Sequence, residues 1–284
     1  MSVAAAYETL LLRREGGVLH VTLNRPQVRN AMSMAMVQEL RAVLAEASQA
    51  GAVHGGTTPG HAQPAGPVRA LVLRGTGGQF CAGGDLKDMA TARMGDAAGL
   101  RAALVHLNAA FGELCVAYAA APMAVVVIAE GTVMGGGFGL ACVADVVIAS
   151  DTAVFRLPET SLGVVPAQIA PFLVERLGYS EAKRLAVTGG RLGAQEALAL
   201  RLVHNVCETA QLDQALATVL ADIALCAPQA IAATKALISK ARYATASALV
   251  HEAAGVFADA VLGAEGVEGT TAFLQKRKPT WALS

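Results

Sequence analysis

No charge imbalance marks this sequence: Lys and Arg number 22, Asp and Glu number 22, and the formal net charge is zero. A polyanion-binding surface is therefore not indicated and nucleic acid is not an expected partner, although a local basic patch remains compatible with zero net charge. The five cysteines (Cys81, Cys115, Cys142, Cys207 and Cys226) lie far apart with no CxxC pair. They read as buried thiols of a reducing compartment. No apolar run reaches ~20 residues, so no transmembrane helix and no membrane partner are expected. The stretch MSVAAAYETLLLRREGG has charges where a secretory leader needs its apolar segment, which makes cytoplasmic the expected location. Also missing are GxxxxGKS/T, HExxH and GxSxG, and the six histidines do not gather at metal-ligand spacing. Nothing here points to a nucleoside-triphosphate site, a metal or a serine nucleophile.

What is present is apolar bulk: 54% of the 284 residues are hydrophobic, enough for one large domain or a domain with an appendage. GGVLHVTLNRP alternates as a strand does. NAMSMAMVQELRAVLAEASQAG then sets Met32, Met36, Val37, Leu40, Val43 and Leu44 at helical spacing. Residues 50–67, AGAVHGGTTPGHAQPAGP, read as a long flexible loop, because the strand VRALVLRG follows at once. A glycine-rich turn, a helix around residues 97–120, the strand MAVVVIAE, a second glycine cluster and the strand DVVIAS come next. From ERLGYSEAKRLAVTGG onward the chain reads as mostly helical. Strands alternating with helices, followed by a helical tail, predict an α/β fold.

Two segments share one design: FCAGGDLK (80–87) and VMGGGFGL (133–140) each follow a strand and precede a helix-forming run. Such a turn can present free backbone N–H groups at a helix start, and two of them aimed at one point make an oxyanion hole. Taken singly, each also fits an ordinary tight turn.

With FRLPETSLGVVP following in order and spacing, FCAGGDLK and EGTVMGGGFGLACVADVVIAS resemble the enoyl-CoA hydratase/isomerase family, the crotonase superfamily. The likeness runs from LNRPQVRNAM to FLQKRKPTW. It implies a spiral of ββα units over residues 1–205, a helical C-terminal trimerisation region over 206–284, and a trimer or dimer of trimers. It also implies an acyl-CoA thioester as substrate, with coenzyme A part of that substrate and no separate cofactor or metal. The catalytic residues it implies are Glu159 as acid/base and the backbone N–H groups of Gly84 and Gly136 for the thioester oxygen. A second family acid falls at Gly139 and is missing here. Glu159 could otherwise be a surface carboxylate on a turn. Asp145 reads as structural at a strand start, and Asp85 as a cap for the following helix.

The phosphates of coenzyme A need cations. Arg29, Lys87 and Lys276 are candidates, with Phe273 and Lys276 forming a Phe-x-x-Lys that relatives direct at a neighbouring subunit's ligand. Each of these cations also fits a solvated surface charge. Arg29 stands in place of an apolar residue, and Gln27 where Lys is frequent. Arg156 replaces a common glycine three residues before Glu159; it could pair with Glu159, bind a substrate carboxylate, or face solvent. With Phe138 and Gly139 it makes up the expected substrate pocket. LPETSLGVVPAQIAPFLVERLG and AEGVEGTTAF are most similar to hydratases of branched glutaconyl-CoA esters, the isohexenylglutaconyl-CoA (gamma-carboxygeranoyl-CoA) and methylglutaconyl-CoA type of acyclic terpene or leucine breakdown. A Δ3-Δ2 enoyl-CoA isomerase needs only one base and is the alternative. An RNA-binding or scaffold homologue is the non-enzymatic one.

Overall fold

The computed structural model describes residues 7–49, 66–85 and 97–283. The loop expected over 50–67 therefore lies outside the described residues except for Gly66 and Pro67, and Lys87 lies outside them too.

Six strands form the main sheet: β1 (Leu10–Glu15), β2 (Val18–Leu23), β3 (Ala70–Gly75), β4 (Ala124–Ala129), β6 (Val146–Ser150) and β9 (Asn205–Cys207), in that spatial order. Only β1 runs antiparallel to its neighbour; the other pairings are parallel. A smaller sheet joins β5 (Thr132–Met134), β7 (Val154–Arg156) and β8 (Arg191–Gly193). Helices connect them: α1 (Met34–Gln49), α2 (Ala97–Ala119), α3 (Gly136–Val143), α4 (Ala170–Thr188) and α5 (Ala194–Ala199). The remainder is helical: α6 (Leu212–Leu225), α7 (Pro228–Ala241), α8 (Ala246–Leu262) and α9 (Ala264–Leu274). The α/β expectation holds. The stretch expected to be mostly helical nevertheless contains β8 and β9, which at three residues each are too short to show a strand period.

The sheet is buried on both faces, and AVVVIA of β4 is buried at every position. Such unbroken apolar runs are what a covered parallel sheet requires. On one face Leu71, Leu73, Val125, Val127 and Val147 pack with Met36 and Leu40 of α1 and Leu114 and Tyr118 of α2. On the other, Val72, Val126, Ile128 and Ile148 pack under Leu212 and Leu216 of α6. α2 corrects one expectation: Gly99–Ala119 is long and apolar enough, by length and composition, to cross a membrane. In this fold its Leu114, Cys115 and Tyr118 belong to the main core. The cysteine expectation is corrected as well. All five thiols are free, but only Cys81, Cys115 and Cys142 are buried; Cys207 is partly exposed and Cys226 exposed. Burial pushes the Cys81 thiol up to about 11 and Cys142 up to about 12, so neither carries thiolate chemistry at neutral pH.

Backbone pairing draws the glycine loops together. Asn30, wholly buried, accepts from the Arg25 N–H and donates to the Thr76 and Gln79 carbonyls at 3.0 and 2.7 Å. That ties the NRPQVRN turn to the turn after β3. Isolated bridges then join Met32 to Gly84 and Cys81 to Val133. At the second crossing, a Cβ placed on Gly137 would lie 2.6 Å from the Cys81 Cβ and 3.0 Å from its carbonyl oxygen. Gly137→Ala is therefore expected to lower stability by about 1–3 kcal/mol through overpacking. Urea unfolding with an unchanged m-value measures it, and an unshifted midpoint would contradict the close packing.

Candidate active site

The two glycine loops and Glu159 converge on one point. Gly135 holds φ at +46°, and a Cβ built there would sit 3.2 Å from Glu159 Oε1, 3.2 Å from Gly83 Cα and 3.8 Å from the Gly84 nitrogen. Its positive φ and this crowding both require glycine. α3 begins at Gly136, where the first N–H groups of a helix have no partner within it. Among the described residues neither the Gly84 nor the Gly136 N–H donates a hydrogen bond. Two bare backbone donors thus stand beside a carboxylate.

Glu159 opens a short 3₁₀ turn, Glu159–Leu162, which closes at Gly163 with φ +74°. The turn is pinned from outside: the Thr160 hydroxyl donates to the Ala186 carbonyl of α4 at 2.7 Å, and the Leu157 N–H to the Gly190 carbonyl at 3.1 Å. The Val164 N–H donates to Glu159's own carbonyl at 3.0 Å. With its backbone fixed, the side chain points into a cavity of about 480 Å³ lined mainly by apolar side chains, among them Met32, Leu104, Leu107, Phe111, Val164 and Ile169. Gly84 and Gly136 line the same cavity. Glu159 Oε2 is buried without a hydrogen-bond partner among the described residues. Burial pushes its carboxyl above the ordinary carboxylate range, against a smaller opposing pull from a hydrogen bond with its own backbone.

Six expected residues lie elsewhere. Phe138 does not line the cavity; it is fully buried and packs edge-on to Phe155, with ring centroids 5.7 Å apart. Arg156 is exposed, has no ion pair among the described residues and does not line the cavity. Its neighbours Phe155 and Leu157 point inward, so strand alternation turns Arg156 out. Phe273, 82% exposed, and Lys276, with φ +54°, are on or just after α9 and away from this chain's own cavity. Arg29 is exposed with φ +50°, in the turn whose carbonyl at Arg29 accepts from the Ala82 N–H. Gly139 lies behind the cavity wall: a Cβ there would meet Phe111 Cζ at 3.0 Å and Ile169 at 3.3 Å. Phe111 thus occupies the space in front of Gly139.

Asp85 lines the cavity but its carboxylate is engaged by Arg25 at 2.8 Å. The helix it was expected to cap lies outside the described residues. Asp145 accepts from the Val125 N–H and from Lys235 at 2.7 and 2.6 Å, a structural role. Sequence reasoning missed Phe111, Asn108, Leu107 and Leu104, which line the cavity from one face of α2. Their i, i+3, i+4, i+7 spacing is the signal that could have found them. Among the described residues no group of three His, Cys, Asp or Glu side chains could hold a metal ion.

A half-buried carboxylate with one oxygen wholly buried, two bare N–H donors and an apolar cavity suit proton transfer next to a polarised carbonyl. Comparison with known proteins agrees. The family model Enoyl-CoA hydratase/isomerase matches residues 61–283. The chain belongs to the enoyl-CoA hydratase/isomerase family. The carnitinyl-CoA dehydratase of Proteus mirabilis is 30% identical over 96% of this chain and 98% of its own length. The probable enoyl-CoA hydratase echA8 of Mycobacterium tuberculosis is 30% identical over 96% and 97%. Among solved structures, an enoyl-CoA hydratase/isomerase from Marinobacter aquaeolei superposes with TM-score 0.89 at 48% identity, covering 97% of this chain and 99% of that one. Pseudomonas aeruginosa AtuE does so with TM-score 0.87 at 54% identity, covering 97% and 100%. The crotonase-type fold expected from the motifs is therefore established.

The raised Glu159 carboxyl makes stability depend on pH. A carboxyl that binds its proton more tightly when folded stabilises the fold fully below its unfolded value, about 4.3. That contribution is lost as pH rises through the folded value. Glu159→Gln cannot ionise, so its melting temperature should gain on wild type across that window and hold the gain above it. Equal melting curves from pH 4 to 8 would contradict the burial of the charge.

Proposed function

We propose that this protein adds water across the double bond of an enoyl-CoA thioester, with Glu159 as acid/base and Gly84 and Gly136 holding the thioester oxygen. The observation that carries this is the unpartnered Glu159 Oε2 beside two unengaged backbone donors. The Glu159 carboxylate takes a proton from water as the water oxygen bonds to the β-carbon. The π electrons move onto the thioester, giving an enolate whose oxygen charge rests against the two N–H groups. Glu159 then returns a proton to the α-carbon, so the net change is one water added and the carboxylate is restored. Losing one such oxyanion donor typically costs ~3 kcal/mol.

We assign as substrate a branched glutaconyl-type thioester such as isohexenylglutaconyl-CoA. Two things support it: the similarity of LPETSLGVVPAQIAPFLVERLG and AEGVEGTTAF to hydratases of such esters, and a cavity apolar enough for a branched chain. Phe111 against Gly139 favours a second reading. No second carboxylate can orient water there, and Glu159 alone could carry a proton between C2 and C4, as a Δ3-Δ2 isomerase does. A carboxylate oxygen left buried without a partner among the described residues argues against an RNA-binding or scaffold role, since such a group is costly unless used.

Purified protein should remove the conjugated-thioester absorbance of 2-enoyl-CoAs; production of that absorbance from 3-enoyl-CoAs alone would select the isomerase. Glu159→Gln should lower kcat by about 10²–10⁴-fold. Near-normal turnover in that variant would overturn the assignment.

Self-association belongs to the same proposal. Phe257, Leu262, Phe273 and Leu274 are each more than 70% exposed on α8 and α9. Neighbouring apolar side chains left this open favour an interface. A trimer or a dimer of trimers is the expected mass by sedimentation at micromolar concentration, and a monomer would contradict it.

A further inference from the structure

Among the described residues the acyl cavity has four polar side chains on its lining. Glu159 is the acid/base and Asp85 is engaged by Arg25. The other two, Asn108 and Gln168, are joined to each other: Gln168 Nε2 donates to Asn108 Oδ1 at 2.9 Å. Asn108 is exposed and Gln168 half-buried, so the pair stands where the cavity opens. The same two residues, with Leu104, line an adjoining cavity of about 520 Å³. Arg156, the cation expected to meet an acyl carboxylate, is outside.

The pair is built into place. Gly112 lies one turn on from Asn108, and a Cβ there would come within 2.1 Å of Gln168 Oε1 and 2.6 Å of its Cδ. The Gln168 amide therefore rests directly on bare helix backbone. Its position relative to the reacting carbons follows from α2. Phe111 Cε2 would lie 3.3 Å from a Cβ on Gly136, so the ring flanks the oxyanion donor. Asn108 is three residues before Phe111 on the same helix face, an axial offset of about 4.5 Å. An acyl group of a few carbons crosses that distance.

Donor arithmetic fixes what the pair can recognise. Each primary amide has two N–H donors. Among the described residues one of the four is engaged, the Gln168 N–H on Asn108, which leaves three. Three N–H groups on two adjoining amides, with no acidic hydrogen-bond partner among the described residues, fit an acceptor-only group, and a carboxylate is the strongest such group on an acyl chain. We propose that the Asn108–Gln168 amide pair is the specificity element that holds a carboxylate carried by the acyl group, while Leu104, Leu107 and the Val164–Val165 segment take its apolar branch. This rests on the glutaconyl reading above and replaces Arg156 in it.

The test uses a matched pair of substrates: 3-methylglutaconyl-CoA and 3-methylcrotonyl-CoA, which share a carbon framework and differ by the carboxylate. The readout is the ratio of their kcat/KM values, so that a general loss of activity cancels. Wild type should favour the carboxylated thioester. Replacing both amides, Asn108→Leu with Gln168→Leu, should lower the ratio at least about tenfold. Gly112→Ala keeps both amides, favours the helix and displaces only the flexible end of Gln168, so it guards against misfolding; it should lower the ratio several-fold. A wild-type preference that survives in both variants overturns the assignment and leaves the glutaconyl reading standing. A wild type indifferent to the carboxylate overturns both.

Discussion

The site depends on how closely three stretches of backbone approach one another. The loop at Gly83–Gly84, the start of α3 at Gly135–Gly137 and the turn at Glu159 meet where a single added carbon would collide. Side chains cannot make such a junction, because their own bulk holds backbones apart. The junction is held instead by hydrogen bonds from adjoining segments: Met134 N–H to the Cys81 carbonyl at 2.9 Å, and Met32 N–H to the Gly83 carbonyl at 2.8 Å. With those bonds made, the N–H groups of Gly84 and Gly136 are fixed before any ligand arrives. Preorganisation of this kind gives oxyanion stabilisation its size, since no dipole has to turn during the reaction.

The second constraint is the apolar wall around Glu159. Desolvation raises its carboxyl and leaves one oxygen without a partner. The fold is less stable for it at neutral pH, and a proton that has to be given back to carbon is held less weakly. A shift towards the working pH is what general acid/base catalysis favours. For Glu159 as the proposed acid/base, stability and activity pull apart at one residue, as they commonly do at catalytic positions.

The meeting of Gly84, Gly136 and Glu159 at one cavity was legible because their backbone geometry is written locally. Each sits in a short run where residue type, strand and turn together state a backbone geometry. The alternation of β2 and the unbroken apolar runs of β3 and β4 were legible for the same reason. Arg156 was misplaced because its type drew attention while its position did not; the run Phe155-Arg156-Leu157 alternates in, out, in. Phe138 was misplaced because the glycines around it suggested a ligand, whereas α3 is apolar all round and buried from Gly137 to Val143. Phe111, Asn108 and Gln168 were not legible as a group. They come from α2 and from the segment before α4, far apart in sequence, and only the packing of those elements brings them to one cavity. Three-residue strands such as β8 escaped because they are shorter than the period that identifies them.

Why amides and not an arginine should face an acyl carboxylate follows from the second constraint. A guanidinium on this apolar lining would be costly to bury until substrate arrived. It would also act on Glu159, because in a poorly solvated cavity a positive charge several ångströms away favours the carboxylate over the acid. That would undo the upward shift that burial provides. Amide N–H groups bind a carboxylate through short-range dipoles and carry no net charge, so they leave Glu159 governed by its own burial. Joined to each other, Asn108 and Gln168 also satisfy part of their hydrogen-bonding before substrate binds, which lowers the cost of keeping them on an apolar wall. In the proposed function, an outward Arg156 and an amide pair at the cavity opening are thus two sides of one electrostatic requirement: an anion would be recognised while Glu159 stays able to hold a proton.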